Sequence, residues 1–574
     1  MPHFLTNKLN WLLLLIFCLA LVLRLWQLET LPATFFVDEV LSGYLGRYLW
    51  VNGVDLYGNT WPLLYFNKFG DYYIILPMYL DGLSTFLFGV TRFATRFPTA
   101  LIGALAVFPL YGITRFVFQA KRVAYLSALL LAIAPWHIVL ARATTESVLE
   151  MTVLLIAVWL LLSSVKNKSP RRMFLAMVVS AFSYLIYHTA RIITPLIWLG
   201  FVIIFFKQLQ LNKKLFSAAV LGLVLLFTMT FTISQTPWGK GRFEQTSIFS
   251  VQSGVSIRMQ EMTYNLGNSS VLMARIFHNK VVGYGREFIN QYLSYFSPLF
   301  LFADDAWSHS RYFVPEFGPL YLAVLLMLLS YLLSAVTARK ANNQYLLFIL
   351  WLLLIVPVPS SLTVIESPSV RRSLFMLVPL VILAAGGWKR AFSVSWKKIT
   401  LGHGIALLLA IELIFFSYLY VKQSDAQDAL YRSDGLPEIA EYIVSREAEN
   451  RDFMVFDAYD FPLYYLFAKQ DFGAEWSQQF QEKLTIESMY GVKPTLTKCA
   501  RELLSDSLVL DSADTLYIEP SRCKVNSCLF EEVDQIYGVN KLIYFRVLKR
   551  KQLPPTEPEC LSLLPFEGGE QGRF

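Results

Sequence analysis

Apolar runs of nearly membrane-crossing length recur along the chain and stop near residue 420. The runs are 10–28, 96–118, 123–141, 147–165, 173–189, 192–207, 215–234, 319–337, 344–358, 373–388 and 401–420. A helix needs about 20 mostly apolar residues to cross the hydrocarbon core, so these runs predict about eleven transmembrane helices. A further run, 72–90 (YYIILPMYLDGLSTFLFGV), is apolar enough to cross but holds Pro77 and Asp81. Counting it as a span would invert every later connection, so it is predicted as one or two helices on the outer membrane face. Beyond residue 421 the pattern shortens. LPEIAEYIVS has helical spacing, DFMVFDAY and TLYIEP read as strands, and KLIYFRVLK reads as a last strand. Two parts are expected: a membrane part over 1–420 and a small α/β domain over 421–574, ending in a disordered stretch.

Composition and charge set the orientation. Hydrophobic residues make up 55% of the 574 and charged residues only 16%, against about 25% in an average soluble domain. The net charge of +8 does not point to nucleic acid, because the cations fall in short clusters between apolar runs. Lys8, Lys121 with Arg122, Lys166 to Arg172, Lys207 with Lys213 and Lys214, Arg339 with Lys340, and Lys389 to Lys398 occupy alternate connections. All become cytoplasmic together if the N-terminus is inside. The segments 29–95, 141–147, 188–192, 235–318, 358–373 and the tail then lie outside a cell membrane, plasma or bacterial inner. The first run has no small-x-small cleavage site and is expected to remain as a span.

Most residues able to do chemistry lie in the outer segments. Asp38 and Glu39 follow Phe35, Phe36 and Val37 at an apolar boundary, where a carboxylate can gain basicity. The bland reading is a carboxylate pair at a helix N-terminus. Arg142 and Glu146 lie in ARATTES, where Glu146 is a second acid or simply first-turn helix chemistry. Tyr187-His188-Thr189-Ala190-Arg191 is wedged between two runs, and a charge there needs a phosphate or a carboxylate as partner. Glu366, Arg371 and Arg372 lie in ESPSVRR, with paired arginines against the positive-inside trend and suited to phosphate. Asp71, Asp304 and His309 complete the expected acceptor-binding set. Asp38 and Glu146 are the candidate ligands of a divalent cation, magnesium or manganese, though no cofactor is required. A disulfide is possible among Cys499, Cys523, Cys528 and Cys560 if the tail is extracytoplasmic.

Several stretches together resemble the GT-C glycosyltransferases, in the branch of the bacterial protein O-mannosyltransferase-like and aminoarabinose-transferase-like enzymes. They are FFVDEV, FGDYYIILPMYL, TRFATRFPTALIGAL, LAIAPWHIVLARATTES, YLIYHTARIITPL, YFSPLFLFADD with SHSRYFVPEFGPLYL, and SLTVIESPSVRRS. The resemblance covers about 10–420. It implies inverting transfer of a sugar from a polyprenyl-phosphate donor to a protein, lipid or glycan acceptor. In it Asp38 matches the acid proposed as base, with Glu39 beside it and Glu146 as the second acid. Arg371, Arg372 and Arg191 are expected to bind the donor phosphate, and Asp71, Arg142, His188, Asp304, His309 and Glu366 the substrates. The chain has Thr-Thr-Glu where oligosaccharyltransferases have Asp-x-Glu, which weakens a metal-dependent oligosaccharyltransferase or polymerase reading. A flippase for lipid-linked sugars would need ionisable groups deep in several spans, where Arg24 and Glu412 are the chief ones.

Overall fold

A computed structural model describes residues 10–68, 71–265, 271–303, 312, 314–337, 343–396 and 399–423 of the membrane part. In the tail it describes 435–449, 451–457, 460–473, 490–495, 497–500, 514–525, 527, 530–538 and 541–551. The first half runs α1 (Trp11–Leu25), α2 (Val37–Asn52), β1 (Phe66–Lys68), β2 (Asp71–Tyr73), α3 (Ile75–Phe88), α4 (Arg92–Leu105), α5 (Val107–Phe118), α6 (Lys121–Ile133), α7 (Pro135–Ala141), α8 (Glu146–Lys166), α9 (Pro170–Phe182), α10 (Ala190–Ile204), α11 (Phe206–Gln210) and α12 (Lys213–Ser234). There follow α13 (Pro237–Thr246), α14 (Val255–Asn265), α15 (Val271–Phe277), α16 (Lys280–Ser294), α17 (Pro298–Phe302), α18 (Leu322–Thr337), α19 (Gln344–Ile355), α20 (Pro357–Ser361), α21 (Leu377–Ser393), β3 (Ser395–Trp396), β4 (Ile399–Thr400) and α22 (Leu401–Lys422). The tail adds α23 (Leu436–Ser445), β5 (Phe453–Phe456), α24 (Phe461–Lys469), β6 (Val492–Thr495), β7 (Leu516–Pro520), β8 (Phe530–Tyr537) and β9 (Ile543–Arg550).

The protein is α-helical and polytopic, with a small sheet in the tail. Every expected span coincides with a helix or a helix pair, but fewer than eleven are long enough to cross alone. Among the described residues six helices have the necessary length and apolarity, α4 with α5 and α19 with α20 each counting as one, and the pair α6–α7, bent by 51°, makes a seventh. α1, α10 and α18 are apolar but shorter. The run expected to span 173–189 is helical only to Phe182 and then unwinds towards Ala190. At α8 and α10 the helix end lies at a shared cavity, which Glu146 and Arg191 line.

Each break leaves carbonyls without their helical donors, and side chains replace those donors. Pro135 has no N–H to offer Leu131, and the Trp136 N–H turns to Pro319 O at 3.1 Å. The buried Arg24 guanidinium fills the gap, donating to Leu131 O at 3.2 Å, Ala132 O at 2.9 Å and Ala20 O at 2.9 Å. The Tyr321 hydroxyl donates to the next carbonyl, Ile133 O, at 2.7 Å. At the end of α1, Arg142 donates to Leu23 O, Trp26 O and Leu31 O at 2.7–3.0 Å. Glu412 of α22 does the reverse, accepting the first N–H groups of α18 from Leu322 at 2.7 Å and Ala323 at 3.0 Å. Both ionisable residues singled out in the spans therefore serve helix ends.

The tail builds a five-stranded sheet in the order β6-β5-β7-β9-β8. β5 runs parallel to β6 and β7, with Phe453 opposite Val492 and Leu516, while β9 is antiparallel to β7 and β8. The four tail segments read from sequence coincide with α23, β5, β7 and β9, and a Cys499–Cys523 disulfide links the loops before and after β7. The tail does not keep its core to itself. Tyr44, Tyr48, Ile75 and Met78 of α2 and α3 share one apolar cluster with Ile439, Tyr464 and Val455. Tyr464 donates its hydroxyl to Phe35 O at 2.9 Å, and Tyr44 does the same to Asp471 O at 2.7 Å. The first loop and the tail thus stand on the same side of the membrane. α3 belongs to that unit.

α2 and α3 pack unusually closely. A Cβ on Gly46 would lie 2.4 Å from Met78 O, and one on Gly82 would lie 2.3 Å from Gly46 O. Beside them Ser42 donates to Asp81 at 2.5 Å. Burial pushes the Asp81 carboxyl well above its usual range, with the Ser42 bond pulling the other way. Gly46→Ala forces the two backbones apart and is expected to destabilise the protein by about 1–3 kcal/mol, as overpacking does. A thermal melt in detergent checks it; an unchanged midpoint refutes the close packing.

Candidate functional site

The site begins where α1 ends. Phe36 is extended and α2 starts at Val37, so Asp38 and Glu39 fall in its first turn. The two carboxylates part company there. Glu39 is buried and makes a 2.8 Å ion pair with the fully buried Arg96 of α4. Glu39 also accepts the Phe36 N–H at 3.2 Å and the Thr144 N–H at 3.3 Å. Arg96 spends its other N–H groups on Leu28 O, Pro32 O and Thr34 O at 2.8–3.2 Å. Glu39 therefore ties the Asp38 turn to the corner between α7 and α8. Asp38, one residue earlier, lines the large cavity.

Glu146 stands at the first position of α8, beyond the Arg142–Thr145 corner, and lines the same cavity. One turn deeper, Glu150 is buried, with its two carboxyl oxygens 2.6 and 2.7 Å from the Thr189 hydroxyl. That contact pins the corner after α9, where Tyr187, His188, Thr189 and Arg191 all face the cavity. Arg191 is 92% buried. Its Nε and Nη2 have no hydrogen-bond partner among the described residues. Its guanidinium lies 4.8 Å from the ring centre of Trp238. Trp238 in turn stacks on Tyr65 of the first loop at 5.7 Å.

Trp238 belongs to α13, a short helix that roofs the cavity. Thr236 caps it by accepting the Gly239 N–H at 3.1 Å, and Pro237 fills its first position. Its far end is stitched to the last outer loop: Val364 N–H donates to Thr246 O and Ile248 N–H to Leu362 O, both at 2.9 Å. That loop carries the paired arginines. Arg371 bonds Glu366 at 2.8 Å, and Arg372 donates to the carbonyls of Ile365 and Glu366. Glu366 has φ +50, a left-handed conformation costly for a residue with a side chain, on the order of 1–3 kcal/mol. Trp136 holds the loop from below, its indole N–H donating to Val370 O at 2.8 Å.

The resulting cavity has a volume of about 790 Å³. Around it stand Asp38, Glu146, His188, Arg191, Glu366, Arg371 and Arg372, brought from four separate outer segments. Glu39 and Arg142 are not among its lining residues; they hold the turns on which Asp38 and Glu146 sit. Asp71 is at the start of β2, paired with Lys68 in a short hairpin. Asp304 and His309 lie outside the described residues. Sequence reasoning missed Lys240 and Glu244 on α13, and the stack of Trp238 on Arg191. The Thr-Pro pair before α13 signals a helix start, but nothing in the sequence says that the helix folds back over the cavity. Among the described residues, one group of three metal-type ligands is close enough to hold an ion: Cys499, Glu519 and Cys523. Two of the three are joined as a disulfide, so it does not bind metal.

Residues 75–233 match the family described as dolichyl-phosphate-mannose-protein mannosyltransferase. The structure is similar to that of ArnT from Cupriavidus metallidurans bound to undecaprenyl phosphate, at 13% identity and a TM-score of 0.50, over 94% of this chain and 98% of that one. It is also similar to the oligosaccharyltransferase AglB from Archaeoglobus fulgidus, in complex with an inhibitory peptide and a dolichol-phosphate, at 15% identity and a TM-score of 0.45. There it covers 82% of this chain and about 65% of the length of the other. No curated protein matches the sequence at a significant level. At these identities the likeness to ArnT is one of fold.

The Arg96–Glu39 pair gives the first test of the site's scaffold. Arg96→Ala leaves a buried carboxylate without its cation and is expected to cost about 3–5 kcal/mol. Adding Glu39→Gln should recover part of that loss. A double-mutant cycle on thermal stability measures the coupling, and strictly additive effects would count against the pair.

Proposed function

We propose that this chain, which has the GT-C fold, is an inverting glycosyltransferase that moves a sugar from a polyprenyl-phosphate donor to an acceptor hydroxyl at the extracytoplasmic membrane face. The observation that carries the reading is the cavity itself. It joins four carboxylates, Asp38, Glu146, Glu244 and Glu366, with four cations, Arg191, Lys240, Arg371 and Arg372, of which Arg371 is paired with Glu366. Carboxylates serve to take a proton and orient a hydroxyl, and clustered cations serve to receive a phosphate. The match over residues 75–233 and the undecaprenyl phosphate bound by ArnT support the same donor class. The Cys499–Cys523 disulfide supports an oxidising location for the tail.

In this mechanism Asp38 accepts the proton of the acceptor hydroxyl as its oxygen attacks the anomeric carbon. The bond from that carbon to the lipid phosphate oxygen breaks, and the electron pair leaves with the phosphate. Arg371, Arg372, Arg191 and Lys240 balance the charge that develops there. Glu146 orients the acceptor. Glu39 and Arg142 act through the turns they hold. Of the ionisable residues buried in the spans, Arg24 and Glu412 are engaged at helix ends, Arg96 is paired with Glu39, and Glu150 is bonded by Thr189. That engagement favours an enzyme over a transporter.

A divalent cation is the second reading, because Asp38 and Glu146 line one cavity and are oxygen ligands of the kind magnesium or manganese takes. When bound, such an ion would add positive charge near the leaving phosphate. Loss of transfer on chelation, restored by added metal, would favour it.

The central test incubates the purified protein with polyprenyl-phosphate sugars and follows release of lipid phosphate. Asp38→Asn should bind donor and keep its melting temperature while turnover falls roughly 10²–10⁴-fold. Near-normal turnover in that variant removes Asp38 as the base. Arg371→Ala and Arg372→Ala should each weaken donor binding by roughly tenfold or more, the scale of a charge-assisted hydrogen bond. Unchanged donor affinity in both would discard the phosphate role of this loop.

A further inference from the structure

The long outer connection after α12 contains a helical corner whose apolar side no described residue covers. α15 and α16 meet at Asn279, which caps both. Its side-chain oxygen accepts the Val282 N–H at 3.0 Å, and its side-chain nitrogen donates to Arg275 O and Ile276 O at 3.0 Å. The corner is fixed by those bonds, so the side chains on its two arms keep a common orientation. Leu272, Ile276, Phe277 and Val281 are between 48% and 83% exposed, and no residue of α16 is buried. Leu272 and Ile276 are one helical turn apart and share a face. Single exposed apolar residues are ordinary, but a contiguous set marks an interaction surface.

The charge pattern says what covers it. From residue 262 to 286 the sequence has Arg275, Lys280 and Arg286 and not one aspartate or glutamate. Apolar side chains interleaved with cations suit the headgroup layer of an anionic bilayer. The corner is also placed for it. Tyr292, on the last turn of α16, donates its hydroxyl to Leu354 O of the spanning segment Gln344–Ser361 at 2.9 Å. Leu354 itself is 53% exposed, so the corner adjoins the lipid-facing surface of that span. A chain of rings leads inward from it: Tyr284 contacts Phe249 at 5.0 Å, and Phe249 contacts Phe243, a cavity-lining residue of α13, at 6.0 Å.

We infer that residues 271–286 form an interfacial anchor that docks on anionic phospholipid and thereby holds the α13 roof beside the bilayer. The docking itself does not depend on the transferase reading. Full-length protein with Cys18, Cys528 and Cys560 replaced by serine is labelled with an environment-sensitive fluorophore at Phe277→Cys, or at Tyr537→Cys in the tail as a water-exposed reference. Each is placed in nanodiscs of phosphatidylcholine with or without phosphatidylglycerol and quenched with iodide. In phosphatidylglycerol discs the label at 277 should be shielded relative to that at 537. Each of Arg275→Glu, Lys280→Glu and Arg286→Glu, which changes two unit charges, should lower the docked-to-free ratio by about thirtyfold. The comparison of the two lipids needs no charge variant, so it stands even if a reversal harms folding. Equal quenching at 277 and 537 in phosphatidylglycerol discs overturns the proposal. Shielding at 277 that ignores both lipid charge and the three reversals also overturns it, and points to a second copy of the chain or another protein as the cover.

Discussion

A carbonyl in an apolar surrounding has no water to bond, so a broken helix in a membrane part needs other donors within the protein. The structure depends on that constraint. Several helices stop short, and each stop frees backbone groups. Arg24 repairs the Pro135 break, Arg142 repairs the end of α1, and Arg96 gathers Leu28 O, Pro32 O and Thr34 O from the loop that follows. All three are buried and donate to backbone carbonyls, and Arg96 is also bound to the Glu39 carboxylate. An arginine suits the task because its guanidinium offers five donors in one plane and does not lose its proton.

The same repairs carry the candidate chemistry. The loop that Arg96 holds delivers Asp38, and the corner that Arg142 begins delivers Glu146. Glu39 bonds the Thr144 N–H at 3.3 Å and so fixes one turn to the other. On the opposite wall, the unwound end of α9 delivers His188 and Arg191, pinned through Thr189 to Glu150. Residues that look alike in sequence have different tasks. Of the neighbours Asp38 and Glu39, one faces the cavity and the other is structural. Of the outer arginines 142 and 191, one donates to the carbonyls of Leu23, Trp26 and Leu31, while the other has two nitrogens without a hydrogen-bond partner among the described residues.

The tail is part of the same construction. Its apolar cluster continues into α2 and α3, so the sheet braces the helix whose first turn holds Asp38. Arg92, at the start of α4, bonds Ala33 O and lies 3.7–3.9 Å from Glu438 and Glu441 of α23. The boundary near residue 421 is thus a change of composition and of local structure, with one core running across it.

By itself the sequence determined what local physics can determine. Apolar run length located the helices, short apolar runs located β5, β7 and β9, and ionisable residues beside apolar runs singled out several positions that line one cavity, among them Asp38, Glu146, Arg191, Arg371 and Arg372. Those signals are visible because burial in lipid or in a sheet imposes a period on neighbouring residues. The tertiary structure alone decided which helices fall short, since that depends on whether a distant arginine can satisfy the freed carbonyls. It also decided that Glu39 pairs with Arg96, 57 positions away, and that α13 folds over the cavity to bring Lys240 and Trp238 to Arg191. Contacts at such separations leave no periodic trace in the chain, because they are fixed by how helices pack and not by how any one helix forms.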